Sequence, residues 1–207
     1  MFKIDEPKIV NIDFYKYSEI DIKEKLEECS FKNENIELHT DVEINSCEFD
    51  GVIFDKVDIK FGNIEDVLFK NCDLSNVRFI NTSMYRVRFE NCKLFGTNFI
   101  DSGLNHIVIK DSMCSLINIT HTKLKNIEFI NSNFKDSAIV ECNLKNILLN
   151  NIDFTNSEIL NTPLKDIDLS NTNLFNLNTD LYSIKGMFIN QYQAMDLIQI
   201  LGVKIKE

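Results

Sequence analysis

Residues 84–108 read MYRVR FENCK LFGTN FIDSG LNHIV, and every fifth residue of that stretch is large and apolar: Met84, Phe89, Leu94, Phe99, Leu104. Two places before each of the last four stands a small or β-branched residue, Val87, Cys92, Thr97 and Ser102. Two places after each centre come Arg86, Asn91, Gly96, Asp101 and His106. Steps of five carry the apolar series without a slip from Ile44 to Leu174, 27 positions in all. With 44% of the chain hydrophobic, chance does not produce such a run.

A period of five fits neither an α-helix (3.6) nor a flat strand (2.0). A corner after every fifth residue resolves the mismatch. Four sides then make a square coil of twenty residues, and successive coils stack in parallel with the large and small positions pointing inward. The position two after each centre becomes the corner. Asn fills it twelve times and Asp or Gly seven more, and these residues tolerate positive φ. At a strand spacing of about 4.8 Å, the roughly 6.75 coils give a shaft about 30 Å long.

Columns twenty residues apart should stack. One inner column is Val67, Val87, Ile107, Ile127, Ile147, Ile167, and another is Phe49, Phe69, Phe89, Ile109, Phe129, Leu149, Leu169. Cys47, Cys72, Cys92, Cys114 and Cys142 fall at inner positions and read as core filler. His106 and His121 sit at corners and read as solvated. The unit KFGNI at 60–64, with Gly62 at an inner position, is expected to mark a bend or local flexibility. Pro163 cannot donate to a neighbouring coil, so a bulge or edge effect is expected there.

This small-x-large-x-x pattern resembles the pentapeptide-repeat family. The resemblance implies an all-β fold, a right-handed quadrilateral parallel β-helix (pentapeptide-repeat solenoid) with a C-terminal capping helix. Residues 44–180 are assigned to the solenoid, and residues 1–43 to an N-terminal cap with an imperfect first coil over 31–43. Within the cap, SEIDIKEKLEEC suggests a short amphipathic helix from about Ser18. Residues 181–207 form the C-terminal unit. Asn190 with Gln193 makes a capping box, Ala194, Leu197, Ile198 and Leu201 share one face, and Gly202 stops the helix. This predicts a helix over 190–201 and a short strand over 203–205.

No phosphate loop, nucleophile elbow or metal-ligand spacing is present, so the expected protein is not an enzyme and carries no cofactor. The start, MFKIDEPKIVNIDF, lacks a basic end followed by an apolar run, and no apolar stretch approaches the ~20 residues of a membrane helix. A cytoplasmic protein away from the membrane is expected. The formal charge of −10 argues against direct nucleic-acid binding. Half of that excess lies outside residues 44–180.

The segment IKGMFINQYQAMDLIQILGVKIK is similar to the terminal unit of quinolone-resistance (Qnr-type) members, through Gly186, Asn190, Tyr192, Gln193, Ala194, Leu197, Leu201 and Gly202. That resemblance implies a homodimer joined through Met187, Ile189, Tyr192, Ala194, Leu197, Ile198, Leu201, Val203 and Ile205. It further implies a rod that imitates duplex DNA, binds DNA gyrase or topoisomerase IV and lowers quinolone susceptibility. The candidate DNA-mimic acids are Glu48, Asp50, Asp55, Asp73, Glu90, Asp101, Asp111 and Glu128. A different reading comes from the outward column Lys60, Ile80, Ile100, Thr120, Val140, Leu160. Its aliphatic members, Ile80, Ile100, Val140 and Leu160, form a stripe suited to contact with another protein partner, unless the N-terminal segment folds over it. A basic ridge, Lys125, Lys145 and Lys165, reads as a solubility feature.

Overall fold

The computed structural model describes residues 2–10, 12–16, 25–38, 41–55 and 57–203. It is an all-parallel β-solenoid with a small helical cap at the C-terminal end. The N-terminal cap contributes β1 (Asp13–Phe14), β2 (Lys25–Glu27), β3 (Cys29–Lys32) and β4 (Asn35–Ile36). The next two coils are β5 (Glu43–Asp50), β6 (Ile53–Phe54) and β7 (Asp58–Lys60), then β8 (Asn63–Lys70) and β9 (Arg78–Ile80). Above them lie β10 (Ser83–Glu90), β11 (Asn98–Ile100), β12 (Gly103–Lys110) and β13 (Asn118–Thr120). The series closes with β14 (Lys123–Asn133), β15 (Ala138–Val140), β16 (Asn143–Asp153), β17 (Glu158–Leu160), β18 (Thr172–Asn173) and β19 (Asn178–Thr179).

Two sides of the square are continuous in β5, β8, β10, β12, β14 and β16, which pair in that order. The opposite wall is the sheet β7-β9-β11-β13-β15-β17-β19. Registers advance by twenty residues, so Val67, Val87, Ile107, Ile127 and Ile147 stack as a column. Phe49, Phe69 and Phe89 stack face to face with ring centroids 5.1 and 5.0 Å apart. All six cysteines are free and buried.

The corners behave as their composition predicts. Positive φ occurs at nearly every one, including sites that resist it, such as Phe61 (58°), Arg86 (53°) and Leu116 (59°). Inner hydroxyls satisfy themselves coil to coil. Ser102 accepts the Thr82 N–H at 3.1 Å and donates to the Ile100 carbonyl at 2.8 Å. This lets Ser and Thr alternate with Cys and Val in the interior, and among the described residues Thr179 Oγ1 alone is buried without a hydrogen-bond partner.

Several expectations need correction. The first coil begins at β2, not at residue 31, and takes eighteen residues: Leu26 lies over Ile44, Phe31 over Phe49 and Ile36 over Phe54. The helix expected from Ser18 is contradicted at 25–27, which are strand, while 17–24 lie outside the described residues. No bend marks Gly62: β8 follows directly, and a Cβ there would stand 2.6 Å from Ile59 Cγ2 and 2.9 Å from the Val42 carbonyl oxygen. Gly is present because the interior is tight at that point.

At the C-terminal end, α1 (Leu181–Ile184) was not anticipated. Asp180 caps it, accepting the Ser183 N–H at 2.8 Å. The expected helix over 190–201 is shorter, with α2 at Gln193–Leu197 followed by a 3-10 turn, Ile198–Leu201. The capping box is nonetheless formed. Asn190 N–H donates to Gln193 Oε1 at 2.8 Å, and Gln193 N–H donates to Asn190 Oδ1 at 3.1 Å. Gly202 takes φ +71° as the stop. Val203 is not in a strand, and residues 204–205 lie outside the described residues.

Candidate functional site

A regular solenoid offers outer faces rather than a pocket, so the candidate sites are surfaces. Among the described residues no group of three or more His, Cys, Asp or Glu could hold a metal, and no helix is long and apolar enough to cross a membrane.

The charged faces come first. Lys32, Asp50, Lys70, Glu90 and Lys110 fall in one outward column, in register from β3 to β12. Charge alternates in sign at every coil. Lys32 sits 3.6 Å from Asp50, and Lys70 lies 3.2 Å from Glu48 in the next column. Glu90 is held by Arg88 at 3.0 Å, Asp73 by Lys93 at 3.4 Å, and Asp111 lies 3.9 Å from Lys110. Asp101 faces His121 at 3.7 Å. Asp55 is exposed and Glu128 half-buried. Six of the eight candidate mimic acids therefore have a cationic or titratable partner within 4 Å, so the acids do not form a continuous band.

The opposite wall differs. Strand pairing places Lys60, Ile80, Ile100, Thr120, Val140 and Leu160 in one outward column. All are half-exposed. The neighbouring outward column in the middle of the wall is Asn98, Asn118 and Ala138, without charge. The result is a partly aliphatic strip, neutral in both columns over the three coils from Ile100 to Val140 and flanked by Asp58 and Arg78 on one side and Glu158 on the other. The basic ridge holds for Lys125 and Lys145, which are in register, but Lys165 lies beyond the point where that ladder ends.

Among the described residues, N-terminal residues 2–10 make no hydrogen bond or ion pair to the stripe. Residues 5–8 instead run along the corner of the long-strand face. Asp5 N–H donates to His106 Nδ1 at 2.8 Å, and Lys8 N–H donates to Asp66 Oδ1 at 2.7 Å. His106 is consequently not solvated as expected, whereas His121 is exposed, 2.9 Å from Glu141. Nothing in the one-dimensional pattern reveals this contact except the clustering of Arg86 and Arg88.

At the C-terminal end Leu181, Tyr182, Phe188, Tyr192, Met195 and Leu201 are exposed, a dense apolar group for one end of a rod. Of the interface residues expected there, Tyr192, Ala194, Leu201 and Val203 are exposed, and Met187, Ile189 and Ile198 are half-buried. Leu197 is packed into the chain's own core, and Ile205 lies outside the described residues.

The model of the pentapeptide repeat region matches residues 39–113 and 82–159, together more than half of the chain. The chain belongs to the pentapeptide-repeat family. Among solved pentapeptide-repeat structures, a trypsin-treated variant of QnrB1, a plasmid-mediated fluoroquinolone resistance protein, is 20% identical. It covers 88% of this chain and 90% of its own, with a TM-score of 0.39. HetL, involved in heterocyst differentiation regulation in the cyanobacterium Nostoc, is 10% identical over 81% of this chain and 85% of its own, with a TM-score of 0.40. Rfr23 from the cyanobacterium Cyanothece is 11% identical over 80% of this chain and 91% of its own, with a TM-score of 0.21. Among curated sequences none is significantly similar to this pentapeptide-repeat chain.

Proposed function

We propose that this pentapeptide-repeat chain is a non-enzymatic protein-interaction module that presents the β7–β19 wall to a protein partner. The observation that carries this reading is the single outward column Ile80, Ile100, Thr120, Val140, Leu160, whose adjacent column is uncharged at Asn98, Asn118 and Ala138 and carries charge only towards the ends, at Asp58, Arg78 and Glu158. A rigid strip of β-branched and aliphatic side chains loses little conformational entropy on docking, and water leaves it readily. The charged faces pair off internally and offer less to a partner. Replacing Ile100 and Val140 together with Glu should abolish partner capture while leaving the thermal midpoint unchanged. Capture that survives the double substitution overturns the proposal.

A second reading is favoured by the apolar C-terminal end. Two chains joined there would make a rod of twice the length, and the sequence resemblance to Qnr-type members suggests a DNA-mimicking dimer acting on DNA gyrase or topoisomerase IV. The alternation of Asp50, Lys70, Glu90 and Lys110 weakens it, because duplex DNA is uniformly negative along its length. This reading predicts that micromolar protein inhibits gyrase supercoiling or relieves quinolone inhibition. No effect on either would remove it.

A further inference from the structure

We infer that the corner groove from Ser46 to His106 is a recognition site for an extended acidic-aliphatic peptide, occupied here by the chain's own residues 2–10. The inference concerns a different surface from the aliphatic wall and does not depend on it. Three of the four corner columns are exposed or half-exposed along the shaft. In the fourth, Ser46, Asp66 and Arg86 are only 8%, 6% and 8% exposed. Val108, an outward residue of β12 beside this corner, is fully buried, although its neighbours in the same column, Arg88 and Glu128, are half-exposed.

The shaft side of the groove is built on rigid strands. Arg86 chelates Asp66, with Nη2 2.7 Å from Oδ2, and reaches Glu65 at 2.7 Å. Its guanidinium lies 4.1 Å from the Tyr85 ring centroid, and Tyr85 meets His106 edge to face at 5.5 Å. His106 Nε2 is 3.0 Å from Asn126 Nδ2. The pocket walls are thus fixed by contacts within the shaft, which is how a site keeps its shape for more than one occupant.

The arm is bound as a peptide ligand would be. Its backbone is read at Asp5 N–H by His106, at Lys8 N–H by Asp66, and at the Lys8 carbonyl by Ser46 Oγ at 3.0 Å. Glu6 supplies the charge match by pairing with Arg88, and Asp5 Oδ2 adds a polar contact 3.6 Å from Nε2 of the His106 ring whose Nδ1 accepts the Asp5 N–H. Phe2, Ile4, Pro7 and Ile9 are half-buried, while Lys3, Asp5, Glu6, Lys8 and Val10 are exposed. Residues 2–10 join no strand ladder, so a competing segment of the same chemistry need only replace these few contacts. Backbone contacts give affinity regardless of sequence, and the acid pair with flanking aliphatics selects the ligand.

The test uses full-length protein and a fluorescein-labelled peptide of residues 2–12, FKIDEPKIVNI, read by fluorescence anisotropy. Native protein, with its groove filled, should bind the peptide weakly. Asp5→Lys combined with Glu6→Lys should free the groove and tighten binding at least tenfold, and the milder Asp5→Ala/Glu6→Ala protein should gain less. Adding Arg88→Glu to the opened protein should remove the gain, with unchanged thermal midpoints excluding misfolding. Equal binding by native and opened protein, or a gain that survives Arg88→Glu, overturns the inference. A native dimer in light scattering that Asp5→Lys/Glu6→Lys dissociates would show the arm exchanged between copies, and that also overturns it.

Discussion

Asn143 donates its backbone N–H to the Thr122 carbonyl at 3.1 Å, and one coil later the same place is taken by Pro163, which has no N–H to give. The ladder stops there. β14 and β16 are in register at nine pairs, but β16 meets the next coil only at its end, through the Asn151 N–H to the Asn171 carbonyl and the pairs Ile152–Thr172 and Asp153–Asn173. The following segment folds into two turns, closed by Ile167 N–H to the Leu164 carbonyl and Thr172 N–H to the Leu169 carbonyl, each 3.0 Å. Leu144, Ile147 and Leu149 are left half-buried, around an apolar cavity of about 30 Å³.

Backbone amides in 144–150 should therefore exchange with solvent much faster than those in 124–130. Hydrogen exchange followed by mass spectrometry reads the two segments side by side, and loss of one ladder is expected to cost tenfold or more in protection. Equal protection would mean that the wall is closed.

Gly62 should not tolerate a side chain. Gly62→Ala places a methyl against Ile59 and the Val42 carbonyl, and overpacking of this kind costs about 1–3 kcal/mol. Denaturant unfolding should show the loss, although Ala suits strands better than Gly.

Leu116 holds a φ of 59° and is exposed. Most corners use Asn, Asp or Gly, so Leu116→Asn removes strain without touching the core. The substitution should stabilise the protein by about 1 kcal/mol, seen as a raised thermal midpoint. An unchanged or lowered midpoint would show that corner strain is not stored there.

Acid should weaken the C-terminal cap first through Asp180. Partial burial disfavours its carboxylate, but N–H donors from Asn161 and Ser183 outweigh that and hold the carboxyl below its ordinary range. A folded-state pKa below the unfolded value contributes stability that is present above about pH 4 and lost as pH falls through the folded value. Asp180→Asn should flatten the stability profile below about pH 4. A profile as steep as the native one would contradict this.

Much of this architecture was legible because the repeat writes each residue's environment into its position. The Asn corners, the Phe column, the Asn190–Gln193 box and the break at Pro163 all follow from spacing and local stereochemistry. The arm was not legible. Its contacts join Asp5 to His106 and Lys8 to Asp66, positions 101 and 58 residues apart, and no period links them. The start of the first coil was missed because its eighteen-residue circuit breaks the rule of twenty that identified the rest. Charge totals also misled: counting acids gives −10, whereas the pairing of Asp50 with Lys32 and of Glu48 with Lys70 decides what a partner meets.

The wall carrying Ile100 and Val140 is tested most directly by a photo-crosslinking residue placed in the native shaft, once at Thr120 within the stripe and once at Lys125 on the basic ridge. Adducts with one protein partner should form from Thr120, be absent from Lys125, and disappear when Ile100 and Val140 are both replaced by Glu. Adducts that form equally from both positions, or only from Lys125, would contradict the assignment of the binding face.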